Sequence, residues 1–207
     1  MHRIRLWKSM FGPLFFINII LVLSACADEK NAVVDTSDIP KMNIGAAMPI
    51  FLYGDNDSIV LTGTFGILRY SLVNKRVTNR ISYEELKDYN ITFLNAAVSK
   101  DGNIIYFGND DMSGTSLFTY QYNFEKNKID KLSKQPEDFF KVQTIAAGYD
   151  EEYDKYIDYK HLISSTIIPM DKSFMYLRAS SDWSMKSLEL VICQYHDGSN
   201  TAYVIFS

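Results

Sequence analysis

Few residues in this chain can do chemistry. It has two cysteines, Cys26 and Cys193, and three histidines in 207 residues. His161 and His196 stand 35 positions apart, and Cys193, three before His196, is the one other His or Cys near either. A zinc site needs three or four such ligands, so no metal centre is expected. No Gly-x-Ser-x-Gly elbow, glycine-rich phosphate loop or dinucleotide fingerprint is present. The sequence therefore predicts no catalytic residue and no cofactor. Acid-rich stretches occur at Asp55/Asp57, at Asn109/Asp110/Asp111 and at Asp150/Glu151/Glu152/Asp154/Asp158. Their oxygens are of the kind Ca²⁺ takes, but none follows the Asp-x-Asp-x-Asp-Gly spacing with a later bidentate Glu. Solvated turns account for them. Two distant carboxylates are all that a glycosidase requires, so a hydrolase stays open as a rival reading. Cys193 ends the apolar run Leu188-Glu189-Leu190-Val191-Ile192-Cys193, where a thiol packs as a small buried hydrophobe.

Cys26 has a different setting. Arg3, Arg5 and Lys8 give the first ten residues a positive charge, and an apolar stretch follows over residues 11–23. Thirteen residues of helix rise about 20 Å, short of a hydrocarbon core of about 30 Å. The stretch fits the apolar region of an export signal better than a membrane span. It ends in Leu23-Ser24-Ala25-Cys26. These four residues resemble the lipobox of bacterial lipoproteins. The resemblance implies cleavage before Cys26, a thioether from its sulfur to diacylglycerol, and acylation of the new amino group. Such chains anchor a protein without a spanning helix, each buried CH₂ contributing about 0.8 kcal/mol. The location implied is the bacterial cell envelope. Ala27, in place of the Asp that retains family members at an inner membrane, implies the outer membrane in a Gram-negative cell.

Loss of residues 1–25 leaves 182 residues, enough for one domain with its own core. It also removes three of the 21 basic residues and none of the 25 acids, leaving 18 against 25 and a net charge of −7. A chain of that sign lacks a general attraction to phosphate backbones, so no nucleic-acid partner is expected. If Cys26 carries lipid, Cys193 has no disulfide partner. Residues 26–45 are small and polar and read as a flexible tether. Residues 46–207 form the domain.

In that domain a strand-like run, a polar turn and a second run recur three times. The turns are Gly54-Asp55-Asn56-Asp57, Ser99-Lys100-Asp101-Gly102 and Pro169-Met170-Asp171-Lys172. Third and fourth runs follow each pair, giving strands near 59–64, 103–108 and 173–178 equivalent places in successive units. The stretch Ala97-Val98-Ser99-Lys100-Asp101-Gly102-Asn103-Ile104-Ile105-Tyr106-Phe107, then Ser116-Leu117-Phe118-Thr119-Tyr120, then Lys128-Ile129-Asp130-Lys131-Leu132, resembles one blade of a TolB-type β-propeller. Lys100 stands where the family's turn has proline, and the other two units keep less of the pattern. The resemblance implies an all-β fold of three propeller-like, four-stranded antiparallel units, a partial or atypical propeller with short helical insertions. Ser82 and Glu85 have capping-box spacing and predict a helix through about Asp88.

The second and third units are 25 residues further apart than the first and second. The excess falls near 134–160 and predicts an insertion. A helix is expected over 150–160, with Tyr149, Tyr153 and Tyr156 on one face. Tyrosine joins apolar area to a hydrogen-bonding tip, which suits recognition of an envelope protein or a glycan. The same rings also serve to pack the insertion onto a sheet. The expected function is a membrane-anchored envelope lipoprotein acting as a binding or interaction module. An envelope hydrolase and a structural subunit of an envelope assembly are the alternatives.

Overall fold

The computed structural model describes residues 34–41, 49–110, 117–144, 153–179 and 187–207. The expected signal, Cys26 and Tyr149 lie outside the described residues. Within them the chain is mostly β, in three antiparallel sheets. Sheet 1 runs β1 (Ile50–Gly54), β2 (Ser58–Gly63), β3 (Gly66–Ser71), β4 (Arg76–Ile81). Sheet 2 runs β5 (Leu94–Val98), β6 (Ile104–Asn109), β7 (Tyr120–Asn123), β8 (Lys128–Lys131). Sheet 3 holds β9 (Gln143–Thr144), β10 (Thr166–Pro169), β11 (Ser173–Ala179), β12 (Leu188–Gln194) and β13 (Asn200–Phe206), so it has five strands where four were expected. The three strands expected after the polar turns are β2, β6 and β11. One helix, α1 (Tyr83–Asp88), joins the first two sheets, and Ser82 and Glu85 form its capping box. Among the described residues no helix is long and apolar enough to cross a membrane.

Sheet 1 is covered on both faces, which is why β2 reads as an unbroken apolar run rather than an alternating one. Phe51, Ile59, Leu61, Leu68 and Tyr70 pack with Ile168, Met175, Leu177, Leu188, Leu190 and Phe206 of sheet 3. Tyr53, Val60, Ile67 and Ile81 pack with Val98, Ile105, Phe107 and Tyr122 of sheet 2. A register shift between Phe51 and Tyr53 lets both point inward, one to each neighbour.

The strand directions give the domain two ends. The first turn of each sheet, at 55–57, 99–103 and 170–172, lies at one end. A β-carbon added to Gly102 would touch Tyr53, and one added to Gly54 would touch Ile168. The other end carries the β2–β3 turn, α1, the start of β5 and Asp110 after β6. There Phe65 of sheet 1 meets Phe206 of sheet 3 edge-on, 5.6 Å between centroids.

Residues 34–41 are docked on the domain, so the expectation of a flexible tether does not hold for them. Ile39, in a single 3-10 turn (Ile39–Lys41), is fully buried in the core shared by sheets 1 and 3. Arg80 holds the segment from β4. Its Nη1 donates to Asp38 Oδ1 at 2.6 Å and to the Asp35 carbonyl at 2.8 Å, and its Nη2 donates to Asp38 Oδ2 at 2.7 Å. Planar fork-to-fork pairing of this kind fixes orientation as well as distance.

The chain between β8 and β10 first passes sheet 2. The Phe140 amide donates to the Val98 carbonyl at 2.8 Å, and its ring sits edge-on to Tyr53 at 4.8 Å. Phe139 turns the other way, onto Phe118 and Tyr106. The chain then pairs with β10 through β9. Beyond the residues left undescribed, it caps the second face of sheet 3, where Tyr153 and Ile157 pack on Phe174, Tyr176, Val191 and Cys193. The described part of the expected 150–160 helix forms turns instead. The amides of Tyr156 and Ile157 both donate to the Tyr153 carbonyl, and the links that follow are Tyr159 to Ile157 and His161 to Asp158. One helical turn suffices to seat Tyr153 and Ile157, and polar Asp and Tyr side chains give little drive to extend it.

Candidate functional site

Tyr153 is 3% exposed. Its ring lies edge-on to Phe174 at 5.1 Å, and its hydroxyl donates to Gln143 Oε1 at 3.3 Å. Tyr156 is half-buried, donates its hydroxyl to the Tyr195 carbonyl at 2.6 Å, and lies 6.3 Å from Phe174. Both rings fasten the insertion to sheet 3. Tyr153 has no face left for a partner while the cap is seated. Tyr156 keeps its edge, with Lys155 Nζ 4.7 Å above its ring.

The same cap carries a polar cluster. His161 Nδ1 donates to Asp158 Oδ2 at 2.6 Å, and this bond holds the carboxyl below the usual carboxylate range. Arg178 Nε donates to Glu189 Oε2 at 2.8 Å across directly paired residues of β11 and β12. The Ala179 amide donates to the His161 carbonyl, tying the turn to the sheet edge. Burial pushes the Tyr176 phenol and the Cys193 thiol up, so Cys193 stays a protonated core residue rather than a nucleophile.

The acid-rich turns spend their carboxylates locally. Asp55 Oδ1 accepts from the amides of Asp57 and Ser58 at 2.8 and 2.7 Å, and Asp55 Oδ2 accepts from the Tyr53 hydroxyl at 2.5 Å. Asp101 accepts from the Ser99 hydroxyl and the Asn103 amide. These contacts explain why the acids recur at the turns. Among the described residues no three His, Cys, Asp or Glu side chains converge as a metal site would need.

A cleft of about 280 Å³ opens between sheets 1 and 3 at the end of the first turns. Leu72 and Met175 form its buried base, and Met170, Ile192 and Tyr203 make its walls. Asn56, Ser173 and Gln194 bring amide and hydroxyl groups to it. Met170 and Met175 are polarizable and unbranched, so they adapt to an inserted group of irregular shape. No carboxylate, imidazole, amine or thiol lines the cleft. What it offers a ligand is shape and hydrogen bonding. The volume is near the lower limit for a small-molecule site and suits a single side chain or a small ring.

The chain matches no family model, no curated protein and no solved structure.

The cleft has no signature in the sequence. Its lining comes from β11, β12, β13 and three turns, and Leu72 stands about 100 positions from Met170. Each wall residue reads locally as an ordinary strand or turn position. Only the facing of sheets 1 and 3 brings them together.

Proposed function

We propose that this chain is a lipid-anchored protein of the bacterial cell envelope whose domain binds a partner. The cleft between sheets 1 and 3 is the observation that carries the binding half. It is concave, has an apolar base and offers orienting amides, the features that capture an apolar side chain or ring. Its lining holds no carboxylate or imidazole, which favours binding over the hydrolase reading for this site. The anchor half rests on Leu23-Ser24-Ala25-Cys26 and the charged and apolar regions before it.

In this proposal the three sheets are blades of an atypical propeller. Support comes from the shared order of strands in sheets 1 and 2, repeated by β10 to β13, and from β1 lying beside both β5 and β10. Residues 138–144 run from Val98 to β10, where an inner strand of a fourth blade would lie. The insertion would thus fill a place that a shorter connection would leave open.

A photo-crosslinking residue in place of Tyr203, in the native envelope, tests the binding site. A discrete adduct is expected, and Ile192→Trp, which fills the cleft, should abolish it. Adducts from position 156 but none from position 203 would move the site to the insertion. Fatty-acid labelling of wild type and Cys26→Ser tests the anchor, with label expected on the wild type alone.

A further inference from the structure

Five large apolar side chains stand exposed among the described residues: Ile50, Val73, Phe93, Leu117 and Val204. Three of them share one end of the domain. Ile50 begins β1, Phe93 immediately precedes β5, and Leu117 follows β6 on the way to β7. Phe93 and Leu117 flank the end of β6, since the Phe93 carbonyl accepts from the Asp110 amide and the Leu117 carbonyl lies against Gly108. Their exposures are 44%, 69% and 51%. Val73, equally exposed at 69%, lies at the opposite end in the β3–β4 turn.

Residues 34–41 dock at the same end as those three. Arg80, near the end of β4, grips Asp38 and also reaches toward the Phe65 carbonyl in the β2–β3 turn. We propose that this end of the domain is apposed to a lipid bilayer, with Ile50, Phe93 and Leu117 entering its interface. The proposal rests on Cys26 carrying lipid. Only seven residues separate Cys26 from the docked Val34, and the eight steps between the two reach at most about 28 Å when fully extended. A domain of this size is about 40 Å across. A leash that short, fixed at one end of the body, keeps that end toward the membrane and the turn at Val73 away from it. Apolar side chains there need no long-range attraction, because the anchor already supplies the local concentration.

The charges at this end set the lipid. Asp35, Glu85, Asp88 and Asp110 are exposed acids at this end against exposed Lys41 and Lys131, while Arg80 is paired with Asp38 and Lys87 with Glu84. That balance disfavours an anionic surface, so the matching partner is a zwitterionic one.

The test uses lipidated protein in phosphatidylcholine vesicles, with nitroxide labels on Phe93→Cys, Leu117→Cys and Val73→Cys. Cys26 is consumed by lipid and Cys193 is buried, so only the introduced thiol reacts. The labels at 93 and 117 should gain oxygen accessibility and lose accessibility to a water-soluble nickel chelate, while the label at 73 stays in water. All three replaced side chains are exposed, and Ile50→Cys substitutes for either site that disturbs folding. Intact mass establishes lipid on Cys26 before the labels are read. A lipidated protein whose labels at 93 and 117 remain as water-exposed as that at 73 overturns this proposal alone. A protein without lipid overturns the anchor as well.

Discussion

Gly102 lies flat against the ring of Tyr53, so close that a β-carbon on it would stand 2.4 Å from the ring's Cζ. The turn between β5 and β6 is thereby seated on sheet 1. The ring cannot easily retreat: its hydroxyl is held by Asp55 and its edge by Phe140. Gly102 also has φ of +73°, which L side chains rarely adopt. Gly102→Ala should cost about 2 kcal/mol or more, from strain and overpacking together. Gly198 has φ of +67° but meets Tyr156 only at 3.1 Å. Urea unfolding should therefore show the Gly102 variant as the weaker of the two, and equal losses would mean that crowding at Tyr53 is relieved.

Tyr153 and Tyr156, the described tyrosines of the expected face, should separate by burial. Tyr153→Ser removes a core ring and should destabilise by about 3 kcal/mol. Tyr156→Phe keeps the ring and loses one hydrogen bond to the Tyr195 carbonyl, about 1 kcal/mol. Thermal unfolding of each variant checks the order. Tyr153→Ser with undiminished stability would show that the cap contributes little to sheet 3.

Acid should release the docked segment before it unfolds the sheets. The Arg80 guanidinium holds the Asp38 carboxyl below its ordinary value. The stabilisation is fully present above that ordinary value, near pH 4, and is lost as the pH falls through the lowered one. Asp158, lowered by His161, shifts in the same sense at the cap. Limited proteolysis within 34–41 should thus be slow at neutral pH and should speed up as the pH falls through the lowered value. Asp38→Asn should give fast cleavage at neutral pH already, with a stability loss of about 1.5 kcal/mol. Ile39→Ala should free the segment at every pH, at about 2–4 kcal/mol.

Cys193 should be inert in the folded protein. It is fully buried, and burial pushes its thiol up from the ordinary range. Iodoacetamide at pH 8 should leave it unmodified for as long as the chain is folded and alkylate it promptly in denaturant. Prompt reaction without denaturant would mean that the 153–161 cap opens readily.

Much of the strand pattern was legible because its signals are local. Polar turns followed by Ile, Val, Phe and Tyr runs placed β2, β6 and β11, and Ser82 with Glu85 placed α1. What one sequence does not carry is which face meets which. Ile39 sits in a stretch whose neighbours are Asp, Ser, Thr and Pro, and composition reads such a stretch as solvent-borne. Its burial depends on Arg80, some 40 positions later. The spacing of Tyr153 and Tyr156 was a sound sign of a packed face, but packing needs one turn, and the periodic pattern was read as a longer helix. The cleft had no local signal at all.

The central place of sheet 1 sets a timetable. Sheet 1 and sheet 2 are finished once residue 131 has emerged, and their shared core can close then. The other face of sheet 1, with Phe51, Leu61 and Leu68, has to wait for β11, β12 and β13. Throughout that interval a newly made chain shows water an apolar surface that only its last strands can cover. Growth that stalls before Leu188 would therefore yield a product prone to clump rather than a smaller working domain.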